Sequence, residues 1–185
     1  MGLGNAYAVL KEIEEKAEKK YLPILGRRKG QALLKVIREL RPKLVLEIGT
    51  LVGYSAILMG NELGEDARLI TIEIDEDEAE MAKENLRRAG LSSRVEVLVG
   101  DAIEIIPSLE GNFDLVFIDA AKEEYLYYLK LLEDKLHPGS VIVADNAGIS
   151  AYAMGDYLNY VRSSGRYRSK FVAVAGDGLE ISTKA

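Results

Sequence analysis

The stretch LVLEIGTLVGYSA, residues 44–56, decides the fold, because a mostly apolar run leads there into a turn that contains two glycines. A run of this kind that ends at a glycine is typical of a strand buried on both faces. Gly49 and Gly53 have the spacing G-x-x-x-G, which differs from the G-x-G-x-x-G spacing of pyrophosphate-binding turns. A helix expected to begin near Tyr54 would offer free backbone N–H groups. The stretch therefore predicts a strand, a turn and a helix that together hold a ligand.

The composition is that of an ordinary soluble globular protein. Of the 185 residues, 48% are hydrophobic and 29% are charged, which is richer in apolar groups than disordered chains are. The net charge of −6 gives no electrostatic reason to expect a polyanionic ligand. Cysteine is absent, which excludes disulfides, thiolate metal sites and cysteine nucleophiles. No apolar run approaches the roughly 20 residues of a membrane span and no signal-peptide core is found, so we expect a cytoplasmic protein without membrane contact.

Strand-like runs alternate with helix-length segments along the chain. The first five runs are rich in Val, Ile and Leu and are expected at residues 44–48, 69–74, 95–99, 115–118 and 141–144. Such alternation predicts a parallel sheet covered by helices on both faces. Two further runs, 171–175 and 179–182, are joined by GDG, which predicts a tight hairpin. We therefore predict an α/β fold with a mostly parallel seven-stranded sheet, closed by a C-terminal antiparallel hairpin.

Two helices are expected before the first strand. The first covers residues 5–22, and the second carries an apolar stripe from Leu33 onwards and ends at Pro42. Because no repeat or Pro/Gly-rich linker divides the chain, we predict a single domain of residues 1–185, in which residues 1–40 form a helical cover on a core of residues 41–185. The leading helix could cover the active site or form a homodimer contact.

Ligands of parallel α/β sheets bind outside the carboxyl ends of the strands, and here acidic residues dominate that edge. Glu73 ends the second strand, 24 residues after Gly49, where a carboxylate can accept hydrogen bonds from both hydroxyls of a ribose. Glu47, beside the turn, would disfavour a pyrophosphate but could receive a ligand ammonium group. An adenosine with a cationic amino-acid tail is S-adenosylmethionine (SAM). The alternative is that the two glycines only form a tight turn and that Glu47 is a solvated acid.

A second group of polar residues follows the fourth and fifth expected strands. If these strands are neighbours, about 4.8 Å apart, Asp119, Asp145 and Asn146 come together. Two carboxylates and an amide oxygen suit Mg²⁺ or another divalent cation. Lys122, three residues after Asp119, could face the same cavity from the start of a helix. The alternative is that the acids cap helices and that Lys122 pairs with Asp119 at the surface.

Five segments together resemble the metal-dependent O-methyltransferases of the catechol and caffeoyl-CoA type. They are KGQALLKVIRELRPKLVLEIGTLVGYSA (29–56), ITIEID (70–75), FDLVFIDAAKEEYLYYL (113–129), LHPGSVIVADNA (136–147) and GDGLEISTK (176–184). The resemblance extends from Leu25 to nearly the end of the chain. It implies a Rossmann-like methyltransferase fold and SAM as the methyl donor.

The resemblance also implies roles for individual residues. Lys122 would be the general base, and a metal ion, normally Mg²⁺, would be held by Asp119, Asp145 and Asn146. The donor site would be formed by Leu25, Glu47, Gly49, Tyr54, Ser55, Glu73, Asp101, Ala102 and Asp119. The reaction expected of this set is in-line methyl transfer to a hydroxyl of a small catechol-like or phenolic substrate, assisted by the metal.

Departures from the family pattern leave the substrate open. Ala120 and Ala121 stand where catechol enzymes have bulkier side chains, and the segment after Asn146 is compressed. We find no counterpart for the acid that approaches the second catechol hydroxyl. Tyr152 and Tyr157 are candidates for substrate contact, whereas the three tyrosines between residues 125 and 128 are expected in the core.

Three other functions remain to be weighed. Some members of this family methylate a hydroxylated wobble uridine of tRNA, which is the weaker alternative here because the chain is acidic. A basic rim for RNA would comprise Arg27, Arg28, Lys29, Arg162, Arg166, Arg168 and Lys170. A catalytically silent SAM-binding protein is disfavoured by Lys122 and the metal set, and an NAD-dependent dehydrogenase by the glycine spacing. The single histidine, His137, is expected to be structural because it precedes the fifth strand.

Overall fold

The computed structural model describes residues 3–92 and 94–185, which form a seven-stranded sheet. The strands are β1 (Leu44–Ile48), β2 (Arg68–Glu73), β3 (Val95–Val99), β4 (Phe113–Ile118), β5 (Leu136–Ala144), β6 (Tyr167–Val174) and β7 (Asp177–Lys184). Their order is β3-β2-β1-β4-β5-β7-β6, and the first five strands are parallel to one another. β7 is antiparallel to both β5 and β6. The predicted fold class is therefore confirmed.

Helices cover both faces of this sheet. They are α1 (Leu3–Lys20), α2 (Gly26–Leu40), α3 (Tyr54–Glu62), α4 (Glu76–Arg88), α5 (Ala102–Ile105), α6 (Tyr125–Leu132) and α7 (Gly155–Ser163), with 3₁₀ turns at Ile106–Ser108, Lys122–Glu124 and Glu133–Lys135. Alternate residues of the central strands enter different cores: in β1, Val45 packs with residues of α1 to α4, and Leu46 with residues of α5 to α7. Burial on both faces explains why the parallel strands are mostly apolar.

The leading helix lies on other helices, because α1 packs against α3 and α4. Its Glu14 accepts a hydrogen bond of 2.6 Å from the hydroxyl of Tyr54, the first residue of α3. Arg27 donates to the same carboxylate from the start of α2. The helix thus braces the segment that follows the glycine turn.

The C-terminal hairpin is confirmed, but its turn is not at GDG. The strands are joined by Ala175 and Gly176, with φ values of 53° and 82°, and Val174 pairs with Asp177. Two consecutive positive φ values are the geometry of a type I′ turn, which matches the twist of a hairpin. Asp177 and Gly178 therefore belong to β7, which begins two residues earlier than the glycine pattern predicts.

The chain order of the strands creates the crevice in which a ligand would bind. From β1 the chain proceeds to β2 and β3 on one side, whereas β4 and β5 lie on the other side. The connections after β1 and β4 therefore diverge at the carboxyl ends of these neighbouring strands, which is the usual position of a ligand site in such sheets.

Candidate active site

A cavity of about 590 Å³ opens at this crevice. It is lined by all the predicted site residues except one: Leu25, Gly49, Tyr54, Ser55, Glu73, Asp101, Ala102, Asp119, Lys122, Asp145 and Asn146. The exception, Glu47, is fully buried behind the cavity wall. The sequence pattern thus located the cavity, whereas the roles of its residues stay predictions.

The glycine turn brings the two halves of the cavity into contact. Gly49 has a φ of +96°, and its amide donates to Ile72 O of β2. A Cβ atom at Gly49 would lie 2.2 Å from the backbone oxygen of Asp119, the residue that follows β4. Only glycine permits this approach. The turn after β1 and the candidate metal ligand are therefore parts of one site.

Glu73 shapes this turn from the end of β2. Its Oε2 accepts hydrogen bonds from the Thr50 and Leu51 amides at 3.0 and 2.6 Å, and its Oε1 accepts one from the Asp75 amide at 3.0 Å. A carboxylate has about four acceptor positions, so capacity remains for a ligand hydroxyl. Glu73 is thus both a predicted ribose acceptor and the anchor of the turn.

Glu47 is held inside the sheet next to the turn. Its Oε2 accepts a hydrogen bond of 2.5 Å from Thr71 Oγ1, while Oε1 is buried and has no hydrogen-bond partner within the described part of the chain. Burial raises the pKa of this carboxyl to about 8. The interpretation of Glu47 as a solvated acid is wrong, since its side chain is fully buried. Its contact with a ligand ammonium stays a prediction.

The candidate metal ligands follow adjacent strands, as predicted. Ile118 pairs with Ala144, so the next residues, Asp119 and Asp145, leave the sheet side by side. Burial and the negative charge of Asp119 raise the pKa of Asp145 to about 6. Two carboxylates that repel one another in a cavity with an adjacent amide fit a divalent cation.

Acidic residues alone do not make a metal site here. Among the residues that the structure describes, no group of three or more His, Cys, Asp or Glu side chains is arranged to hold a metal ion. The candidate set has two carboxylates, and its third member is the amide of Asn146. Binding of Mg²⁺ therefore stays a proposal.

Lys122 faces the cavity from the 3₁₀ turn that precedes α6. Its Nζ lies 2.9 Å from Asp119 Oδ1 and 2.8 Å from the hydroxyl of Tyr125. The side chains of Lys122 and Asp119 are each only 20% exposed, so the pair is not a surface ion pair. Tyr125 is fully buried, and burial raises the pKa of its hydroxyl well above the usual value, which keeps it neutral.

Two residues that the sequence reading did not assign to this site also belong to it. Lys29 Nζ lies 2.7 Å from Asp145 Oδ1 and 2.6 Å from Asp177 Oδ2, and its side chain is 13% exposed. Burial alone would lower the pKa of Lys29, but the two carboxylates outweigh this and raise it. Both residues lie in segments that carry the family resemblance, but the sequence pattern predicts Lys29 in a basic rim and Asp177 in a turn.

The tyrosines predicted to contact substrate or to lie in the core differ in how exposed they are. Tyr157 is fully buried and packs edge-on against Tyr125 with ring centroids 5.8 Å apart, so its predicted substrate contact is wrong. Tyr152 is fully exposed. Of the three tyrosines of α6, Tyr125 and Tyr128 are buried as predicted, whereas Tyr127 is 55% exposed.

His137 has the predicted structural position. Its Nε2 lies 2.8 Å from Asp114 Oδ1 near the amino ends of the parallel strands, away from the cavity.

Four of the seven residues of the predicted basic rim are paired with carboxylates. Arg27 binds Glu14, Lys29 lies between two aspartates, Arg162 binds Glu180, and Arg166 lies 3.3 Å from Glu133. Pairing of this kind reduces the positive charge that is available to a phosphate backbone.

A family model described as O-methyltransferase matches residues 4–155. The chain belongs to the O-methyltransferase family. It is 39% identical over 172 residues to the catechol O-methyltransferase of Mus musculus, an alignment that covers 89% of the chain but only 64% of that enzyme. The catechol O-methyltransferase of Sus scrofa is 41% identical over 150 residues, with 77% of the chain and 80% of that protein covered.

Solved O-methyltransferases share the fold. The O-methyltransferase from Bacillus cereus in complex with SAH superposes with a TM-score of 0.86 at 26% identity, covering 96% of the chain and 91% of that structure. The O-methyltransferase TomG from Streptomyces achromogenes, in complex with SAM, superposes with a TM-score of 0.86 at 27% identity, covering 96% of the chain and 89% of that structure. The Rossmann-like methyltransferase fold is therefore established for this member of the family. None of the helices that the structure describes is long and apolar enough to cross a membrane.

Proposed function

We propose that this O-methyltransferase transfers the methyl group of SAM to a hydroxyl of a small catechol-like or phenolic substrate, with Mg²⁺ or another divalent cation as cofactor. One observation carries the proposal: Gly49 of the turn after β1 lies directly against Asp119, which lines the same cavity as Asp145, Asn146 and Lys122. A donor site and an acceptor site that share a wall can hold the two reacting atoms in line. Such positioning contributes about 7–11 kcal/mol to catalysis.

The donor half is supported by the chemistry of the cavity wall. Glu73 retains acceptor capacity for the ribose hydroxyls of SAM. The unpaired Oε1 of Glu47 suits the ammonium group of the methionine end, because a buried carboxylate gains most from a cationic partner. Tyr54 and Ser55 begin α3, where free backbone N–H groups suit the methionine carboxylate. The SAM- and SAH-bound neighbours support the same cofactor.

The acceptor half is supported by Asp119, Asp145 and Asn146, which would hold the cation. Bound Mg²⁺ would lower the pKa of the acceptor hydroxyl and so favour its reactive form. Lys122, when unprotonated, would accept the hydroxyl proton at Nζ, where Asp119 Oδ1 and the Tyr125 hydroxyl fix its position. The methyl group then forms a bond to the substrate oxygen as its bond to the donor sulfur breaks, leaving SAH.

A small substrate is supported by the lining of the cavity and by the relatives. Pro23, Ile24 and Ala121 contribute apolar surface, which suits an aromatic ring. The mouse and pig relatives are named catechol O-methyltransferases. The pairing of four of the seven rim residues with carboxylates argues against the tRNA alternative.

A methyl-transfer assay with a panel of acceptors tests this proposal. The purified chain is incubated with SAM and Mg²⁺ and with a catechol, a hydroxycinnamoyl thioester or a tRNA carrying hydroxyuridine, and products are identified by mass spectrometry. We expect a methylated catechol or phenol. Methylation of the tRNA alone would show that the substrate is tRNA and not a small phenol. SAH binding in calorimetry without turnover on any acceptor would indicate a catalytically silent binding protein.

A further inference from the structure

Asp177, at the start of β7, is a carboxylate beside the candidate metal ligands that has several polar partners. Its Oδ1 accepts from the Gly148 and Ile149 amides at 3.0 and 2.9 Å. Its Oδ2 accepts from Asn146 Nδ2 at 2.9 Å and lies 2.6 Å from Lys29 Nζ. Four donors therefore converge on one carboxylate that is itself only 8% exposed.

The bond to Asn146 determines which end of its side chain enters the cavity. Asn146 has a φ of 59°, a left-handed conformation that few residues other than glycine adopt at low cost. Because a carboxylate only accepts hydrogen bonds, the Asn146 side chain must direct its NH₂ group to Asp177. The amide oxygen, the atom that a hard cation binds, is left for the cavity.

Lys29 extends the same arrangement to Asp145. The ammonium group lies between Asp177 Oδ2 and Asp145 Oδ1. Asp145 Oδ1 is buried and has no hydrogen bond within the described part of the chain, so its contact with Lys29 is an ion pair. Because this ion pair occupies Oδ1, the second oxygen of Asp145 is the one left for a ligand. Asp177 thus influences two of the three candidate metal ligands: it contacts Asn146 directly, and it contacts Lys29, which in turn contacts Asp145.

We propose that Asp177 is a positioning residue of the metal centre, which presents the amide oxygen of Asn146 and, with Lys29, one oxygen of Asp145 to the cation. This inference rests on the proposed metal dependence of the chain. Partners of metal ligands typically contribute about 10–100-fold to metal affinity, because they fix the ligand orientation.

The test is the affinity of the full chain for Mn²⁺ as probe, measured by the loss of the free-ion signal in electron paramagnetic resonance. In Asp177→Asn, an NH₂ group faces two donors whichever way the new amide turns, so we expect about 10–100-fold weaker Mn²⁺ binding. Asp66→Asn is the charge-matched control, since Asp66 pairs with Lys43 before β2, at the opposite edge of the sheet. Its Mn²⁺ affinity should equal that of the wild type.

Exchanging the side chains of Asn146 and Asp177 distinguishes a positioning role of Asp177 from a general loss of stability. In the double variant Asn146→Asp with Asp177→Asn, the amide at 177 donates to the carboxylate at 146, which restores this pair at unchanged total charge, although the contact with Lys29 is not restored. We expect this variant to recover part of the Mn²⁺ affinity lost in Asp177→Asn. Thermal unfolding and SAH calorimetry establish that each variant is folded.

The possible results lead to different conclusions. Wild-type affinity in folded Asp177→Asn, or a folded exchange variant that binds Mn²⁺ no better than the single variant, would overturn the positioning role. If the single variant does not fold, the exchange variant decides alone, and failure of both to fold would assign Asp177 to hairpin stability instead. Absence of Mn²⁺ binding by the wild type would contradict the proposed metal dependence itself.

Discussion

Lys122 Nζ lies 2.9 Å from Asp119 Oδ1, in a cavity that the glycine turn after β1 also lines. The amine therefore stands next to the candidate metal ligand that also borders the donor side. These contacts hold Nζ in the cavity, where the amine, when unprotonated, could accept the proton of a substrate hydroxyl. The pair links the proposed base to the proposed cation site through a single carboxylate.

Replacement of the base should affect turnover and little else. Lys122→Met is expected to lower kcat by about 10²–10⁴-fold, the usual contribution of a general base. SAH affinity should remain within error, because the donor side keeps its contacts. Lys83→Met, which removes an exposed lysine of α4, is the control and should retain full kcat. Undiminished turnover in Lys122→Met would exclude Lys122 as the base.

The close approach at Gly49 predicts a difference between two glycine substitutions. Gly49 and Gly139 have nearly equal φ values of +96° and +94°, but a Cβ at Gly139 would meet no atom of the described chain within 4 Å. Gly139→Ala should therefore cost only the backbone strain, about 1–2 kcal/mol. Gly49→Ala adds the collision with Asp119, so we expect a loss above about 4 kcal/mol in urea unfolding. Equal losses would show that the turn can move away from β4.

Anchoring of the turn by Glu73 can be measured through donor binding. In Glu73→Gln one acceptor oxygen becomes an NH₂ group, so the amides of Thr50 and Leu51 or that of Asp75 lose their acceptor. We expect the free energy of unfolding to fall by about 1–3 kcal/mol, the cost of a buried group left unpaired, and SAH binding to weaken in calorimetry because the turn beside the donor site loses an anchor. Glu76→Gln, at an exposed position of α4, serves as the control. An unchanged SAH affinity in Glu73→Gln would remove this residue from the donor site.

The pair of His137 and Asp114 predicts a pH-dependent contribution to stability. Hydrogen bonds to the Pro138 carbonyl and to Asp114 raise the pKa of His137 above its usual value. A raised folded-state pKa stabilises the fold below the unfolded pKa of about 6.5, and this contribution is lost as the pH rises through the folded value. The wild type should therefore exceed His137→Gln in unfolding free energy by more at about pH 5.5 than at about pH 8.5. A difference that is flat or larger at high pH would contradict this assignment.

Much of the fold is readable from the sequence because each signal is local. β1 and β3 have the predicted bounds, since apolar runs of five residues end there at a glycine or begin after a polar turn. β5 begins at Leu136, five residues before the predicted start, because His137 to Ser140 look like a turn by composition. The hairpin turn was misplaced for a similar reason: Ala175 takes a positive φ, which composition does not indicate.

The remaining features of the site depend on contacts between distant segments. Lys29 stands in a basic run at the start of α2, which looks like a solvated surface until the fold places it against Asp145. Asp177 is separated from Asn146 by 31 residues, so their hydrogen bond has no local signal. The unpaired oxygen of Glu47 likewise depends on burial by the completed sheet.

The measurement that tests the central claim most directly is the rate of methyl transfer from SAM to a catechol as a function of free Mg²⁺. The protein is first stripped with a chelator, and the rate is then followed as Mg²⁺ is restored. We predict that stripping lowers the rate by at least about 100-fold, since Lewis-acid assistance is worth several kcal/mol, and that Mg²⁺ restores it along a saturable curve. Equal rates in chelator and in Mg²⁺, or no transfer to any hydroxyl under either condition, would contradict the account.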